Sequence, residues 1–271
     1  MQQGREWPRP VSRWSDFKTA VASFALAVWF AVPAQAGDEV CANPPDYRSG
    51  DAALDALLQR VTPALEEYPS LRDAVSGIAP AFCISGEPFN ALGFYEPETR
   101  KIVVSEGLDP DLQLAILFHE LRHVEHHARG LCPDLSLSMR DYARAVWAME
   151  ADAATISLIV AWDYAEGGDP GPWDALVDQP RFGDIARTFG AVVSEGGDIF
   201  TASEAAFTAW YQNEDRRTGY YIASCLSYLD DQEQSHALPA YGSLPPAYFD
   251  RLCILPDGRP FDCEEPASSD D

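Results

Sequence analysis

His119-Glu120-Leu121-Arg122-His123 lies inside a run whose apolar residues recur at helical spacing, and this stretch restricts the fold more tightly than any other. On an α-helix of 3.6 residues per turn, two histidines four apart differ by only about 40° around the axis and project from adjacent turns of one face. Leu114, Leu117, Leu121 and Val124 form an apolar stripe opposite His119 and His123, so the helix packs on a core while its histidines turn toward a cleft. Asp109-Pro110 supplies an N-cap followed by proline at the first helical position, and Gly130 marks the end.

Two imidazoles placed in this way can grip a single ion, and neutral imidazole nitrogen is a good zinc ligand. Glu120 falls about 100° around the helix from His119, near enough to act as general base on a water at the site without being a ligand itself. A third protein ligand is needed. A histidine ten residues after His119 would serve, but that position is Arg129. The following helix offers Glu150 and Asp152. On a helical wheel Asp152 gathers with Asp141, Arg144, Thr155 and Asp163 on a face that reads as solvated, whereas Glu150 shares its side with Ala143, Val146, Trp147, Ala154 and Ala161. A buried Glu150 needs a compensating partner, either the metal or a cation such as Arg122.

His-Glu-Leu-Arg-His followed on a second helix by Glu150-Ala151-Asp152-Ala153 resembles the gluzincin type of zinc metallopeptidase, and is similar to small bacterial families of that type whose substrates are undefined. The resemblance covers roughly residues 90 to 165. It implies His119, His123 and Glu150 as zinc ligands, Glu120 as catalytic base, and a peptide or protein substrate laid as an extra strand along the hairpin Ala91 to Ser105. The chain departs from that pattern at Arg122 and Glu125, which are charged where uncharged or apolar residues are usual. It departs again at Ala154, where an aspartate often supports the ligands. An unidentified carboxylate or backbone carbonyl then has to orient the histidines.

His126 and His127 share the histidine face and read chiefly as solvent-exposed residues near a helix end; they could also line the cleft, with His126 as a ligand in place of Glu150. Candidates for stabilising the transition state are His236, Tyr220, Tyr221 and Arg217, each of which also has an ordinary packing or surface explanation.

The N-terminus reads as a signal peptide over 1–36: basic residues Arg5, Arg9, Arg13 and Lys18, an apolar run from Ala20 to Val32, then Ala34-Gln35-Ala36. An uncleaved anchor is the alternative. The layout places the protein in the periplasm or outside the cell, with no membrane span after cleavage. All six cysteines follow residue 36, and none forms a C-x-x-C pair. That pattern suits disulfides in an oxidising compartment over a thiolate zinc site, and Cys253 and Cys263 flank a turn-rich loop that they could close. A formal charge of −24 repels phosphates, which argues against nucleic acid and against an anionic membrane surface as partners. The sequence sets no oligomeric state.

The remaining periodicities predict a helical stretch from Asp51 to about Ser76 with a kink or break at Pro63, and strands over Ala81 to Ser85, Ala91 to Tyr95 and Lys101 to Ser105. Further helices are expected from near Ser138 to Gly167, from about Gln179 to Ser194 and from Ser203 to Asp231, with an acidic, disordered tail over 264–271. The fold class is α+β and mostly α: a single zincin-like domain over 37–263, stapled by disulfides, with a short hairpin or sheet packed beside the metal-binding helix. A non-catalytic zinc-binding protein or an envelope structural protein is the alternative reading of the same features.

Overall fold

The computed structural model describes residues 39–86 and 91–266, all within one unit that begins at Ala36. The leader expected over 1–36 and the last residues of the tail lie outside the described residues. Within the tail, Glu265 accepts hydrogen bonds from Arg144 at 2.6 and 2.8 Å.

Four short strands form one mixed sheet: β1 (Val40–Ala42), β2 (Ala81–Ser85), β3 (Gly93–Glu96) and β4 (Lys101–Ser105), in the order β1-β2-β4-β3. β-Branched Ile102, Val103 and Val104 make β4 a buried central strand, parallel to β2 with Phe82 opposite Ile102. β3 and β4 form the expected antiparallel hairpin, leaving β3 at the sheet's edge. At the other edge β1 pairs with β2, and the cross-strand partners Cys41 and Cys83 are joined by a disulfide. The second disulfide is the anticipated Cys253–Cys263 bridge, while Cys132 and Cys225 are free.

Nine helices are found among the described residues. The first, α1 (Ala52–Glu67), is capped by Asp51, whose side chain accepts from the Ala53 and Leu54 N–H groups, and it continues past Pro63 without a break. Pro63 faces solvent, where the carbonyl it leaves unpaired can reach water. The break comes at Pro69, which opens α2 (Pro69–Ile78): proline disfavours the helical region for the residue before it, and Tyr68 is extended, with φ −108° and ψ 93°. Asp109, the cap read from sequence, starts α3 (Pro110–Ala128), and α4 (Met139–Glu166) begins where expected, with Ser138 as its N-cap.

The sequence reading ran too coarse beyond residue 168. Gly171-Pro172 opens a separate helix, α5 (Gly171–Asp178), because proline is tolerated in a first turn, and α6 (Gly183–Ser194) follows. The expected helix from Ser203 to Asp231 is two helices, α7 (Ile199–Gln212) and α8 (Glu214–Ser235), divided at Asn213, which caps α8 by accepting from the Arg216 N–H. A last short helix, α9 (Tyr248–Leu252), leads into the Cys253–Cys263 loop.

α3 and α4 are the centre of the molecule. α4 is long and apolar enough to cross a membrane by length and composition, yet it is enclosed by the rest of the fold, with Ala145, Ala148, Ala151, Ala153 and Ala161 fully buried. Those small side chains let its neighbours pack closely, α3 among them. The stripe read from the sequence of α3 is buried as expected, but so is much of its opposite face, His119 and Glu120 included. The architecture is a mostly helical α+β fold with a small four-stranded mixed sheet and two disulfides.

Candidate metal centre

One turn of α3 separates His119 from His123, and their Nε2 atoms approach to 3.1 Å. From α4, Glu150 sets one carboxylate oxygen 3.3 Å from His119 Nε2 and the other 3.3 Å from His123 Nε2. One ligand atom from each of the three residues falls within 4.8 Å of the others. The wheel put Glu150 on the covered side of α4; the structure sets it beside the histidines with its side chain 16 % exposed. Arg122, the rival partner for that carboxylate, is engaged elsewhere: it binds Asp152 at 2.6 and 3.1 Å and Glu125 at 2.5 Å.

Glu120 is buried next to the cluster and accepts a hydrogen bond from the Tyr95 backbone N–H on β3. Burial pushes its carboxyl up from the usual range, partly offset by the two histidines. Gly93 makes this approach of strand to helix possible: a Cβ there would stand 2.6 Å from Ile116 Cγ2, 3.0 Å from the Val103 carbonyl and 3.5 Å from Glu120 Oε1. Tyr95 is tied to α3 a second time through its hydroxyl, 2.7 Å from His127 Nδ1. His127 is thus half-buried against β3 and not free in solvent.

The cluster gathers two carboxylates, Glu120 and Glu150, around two imidazoles. Burial tends to depress His123, but Glu150 overrides it and the ring is pushed up to about 9. Reciprocally, burial would raise Glu150, and the histidines hold it well below the carboxylate range. Both shifts show a buried pocket that draws positive charge. A divalent cation held by two neutral imidazoles and Glu150, with Glu120 beside it, would balance that charge, and two nitrogens plus one carboxylate oxygen are a donor set suited to zinc. The residues present fit a metal.

Of the four transition-state candidates, one reaches the cluster. Tyr220 on α8 donates its hydroxyl to Glu150, and burial raises its pKa well above the ordinary tyrosine value. Arg217, one turn earlier, accepts from Trp147 Nε1 through its backbone carbonyl, and its Nε is buried without a partner among the described residues. Tyr221 is turned away from Glu150, 40 % exposed and packed on Trp147. His236 is not brought to the site: it is the exposed left-handed C-cap of α8, about 24 Å along the helix from Tyr220 at 1.5 Å per residue. Sequence reading missed Phe182, whose ring centroid is 5.9 Å from that of His119. An aromatic between two helices carries no signal that separates it from core.

Two readings of the second layer are overturned. Asp152 is fully buried and not solvated, and His126 is fully buried and neither exposed nor a substitute for Glu150. His126 Nε2 lies 2.7 Å from Asp152 Oδ2, and its Nδ1 lies 3.4 Å from His123 Nδ1. Burial pushes His126 down to about 3 in spite of the neighbouring carboxylate. For Asp152 burial works upward, and the Arg122 guanidinium overrides it to hold the carboxyl low. Arg122 itself is fully buried and donates also to the Leu252 and Ile254 carbonyls at 3.0 and 2.8 Å. The wheel failed because it assumed a wet side for α4, and α9 with the disulfide loop covers that side.

No curated protein and no solved structure matches the chain. A family model described as "Putative metallopeptidase family (DUF6782)" matches residues 33–263. The match spans most of the chain and includes every residue of the cluster; the protein belongs to this family.

Proposed function

We propose that the protein is an exported zinc metallopeptidase of gluzincin type, which hydrolyses peptide bonds at the cluster of His119, His123 and Glu150 with Glu120 as general base. The observation that carries this reading is the convergence of those three ligand groups on one point beside a fourth, buried carboxylate. Zinc held there would supply Lewis-acid chemistry, polarising a carbonyl and lowering the pKa of water. Everything else falls to the chain.

Glu120 removes a proton from the attacking water and returns it to the leaving amine, and its raised pKa brings it nearer the neutral range in which both transfers are feasible. The Tyr95 N–H fixes the carboxylate's orientation. β3, as the edge strand on that side, offers backbone groups along which an extended peptide can lie. Tyr220 steadies Glu150 from the α8 side. Export is supported by the basic-then-apolar leader and by disulfides in the domain that follows it.

The test pairs metal analysis with one substitution. The purified chain, supplied with zinc, should hold about one equivalent, and His119→Ala or His123→Ala should lose it. Glu120→Gln should keep the metal while hydrolysis of a peptide library falls on the order of 10²–10⁴-fold. Undiminished hydrolysis in Glu120→Gln removes the base assignment, and a parent chain without zinc removes the whole reading.

A further inference from the structure

We propose that His126, backed by Asp152 and Arg122, is a positioning residue that fixes which nitrogen of His123 carries its proton, and so presents His123 Nε2 to the metal. The inference rests on the metallopeptidase reading only for its consequence; the hydrogen-bond pattern stands by itself. A neutral imidazole has one N–H and one acceptor nitrogen, and the nitrogen that ligates a cation must be the acceptor. His123 Nε2 is the atom that faces Glu150 and His119. Ligation there requires the proton on Nδ1, which points at His126 Nδ1 across 3.4 Å.

That contact works in one direction only. Asp152, ionised, accepts and cannot donate. His126 Nε2, 2.7 Å from it, must therefore hold a proton, which leaves the neutral ring's Nδ1 as an acceptor for His123. Arg122 anchors the other end with two bonds to Asp152, one to Glu125 and two to the carbonyls of Leu252 and Ile254. Arg129, 3.4 Å from Glu125, completes two cations against two carboxylates, so a second proton on His126 would bury an unbalanced charge. Every N–H in the series points toward Asp152, and the supporting carboxylate that the sequence lacks at Ala154 is supplied from Asp152 through an imidazole. His119 has no such backing: its Nδ1 is buried without a partner among the described residues.

The experiment uses the full chain with ¹⁵N-labelled histidine. Spectra are recorded metal-free at about pH 10, where both rings are neutral, and again with zinc. With zinc on Nε2 the expected His123 proton is on Nδ1, whereas without metal Glu150 competes for it at Nε2; in both states His126 carries no proton on Nδ1 and one on Nε2. A proton on His126 Nδ1 in the parent chain overturns the proposal without any variant. His126→Phe, which keeps ring volume and removes both nitrogens, should leave the Nδ1 proton of zinc-bound His123 without an acceptor, so that it exchanges faster with solvent, and weaken zinc binding about 10–100-fold. His126→Asn, whose Oδ1 occupies the place of Nδ1, should restore slow exchange and most of the affinity. A purely structural His126 predicts the same exchange of that proton in the parent and the Phe variant and no rescue by Asn. A parent chain that takes up no zinc sinks the proposed peptidase while the metal-free spectrum still decides this relay.

Discussion

His123 is backed by a series of hydrogen-bonded groups that runs through His126, Asp152 and Arg122 to the carbonyls of Leu252 and Ile254. His119, four residues earlier on the same helix, meets Phe182, and its Nδ1 has no partner among the described residues. Both ligands are largely buried, but only one side of the site is backed by a chain of hydrogen bonds. The difference teaches that the two ligands, equivalent in the motif, are not equivalent in the molecule. The His123 side ties metal binding to the stability of the C-terminal segment, whereas the Glu120 and Tyr95 side ties it to the edge strand that would hold substrate.

The largest effect should come from cutting the core side at Arg122. Arg122→Met leaves Asp152 buried without its cation and Glu125 with Arg129 alone, and removal of one partner from a buried pair costs about 3–5 kcal/mol. Urea unfolding of the metal-free chain measures it. A loss below about 1 kcal/mol would show that the buttress carries little stability, and the contrast between the two sides would collapse.

The next effect is set by proton competition. Glu150 raises the His123 ring to about 9, so below that pH zinc must displace a proton from it. Affinity should be greatest above pH 9 and decline by about tenfold per unit as pH falls toward neutrality. Competition with a chelating dye between about pH 7 and about pH 10 reads the slope. A flat profile would mean that His123 is unprotonated throughout and that its partnership with Glu150 is weaker than the geometry indicates.

Gly93→Ala probes the opposite side. The added methyl meets Ile116 Cγ2 and the Val103 carbonyl, so β3 must shift away from α3, at a cost of about 1–3 kcal/mol for overpacking. Because Tyr95 holds Glu120 from the same strand, turnover should fall while zinc affinity stays near that of the parent. Equal losses in both would mean that the two sides are mechanically one.

The parts legible in the sequence were those whose cause is local. Asp109-Pro110 announced α3 through capping chemistry, and the four-residue spacing of the histidines together with the wheel's preference for Glu150 over Asp152 pointed to the cluster. What stayed hidden depends on chain far away. Asp152 and His126 look solvated until a segment one hundred residues later closes over them, and nothing near Asp152 marks that cover. The break allowed for at Pro63 falls instead at Pro69, because Pro63 sits at a solvent-facing position that tolerates it inside a helix.

The smallest effect belongs to Tyr220, the one transition-state candidate that reaches the cluster. Its hydroxyl donates to Glu150 from α8, and Tyr220→Phe removes that bond while keeping the ring. A hydrogen bond to a charged group contributes about 1.5–3 kcal/mol, but Glu150 keeps both histidines as partners. The net loss in zinc affinity should therefore be tenfold or less, about 1.4 kcal/mol at most, and smaller than that of His126→Phe. If Tyr220 also stabilises the transition state, kcat should fall by more than zinc affinity does, measured at saturating metal. Equal losses would assign the hydroxyl to holding Glu150 alone, and a loss of affinity exceeding that of His126→Phe would reverse the ranking of the two sides.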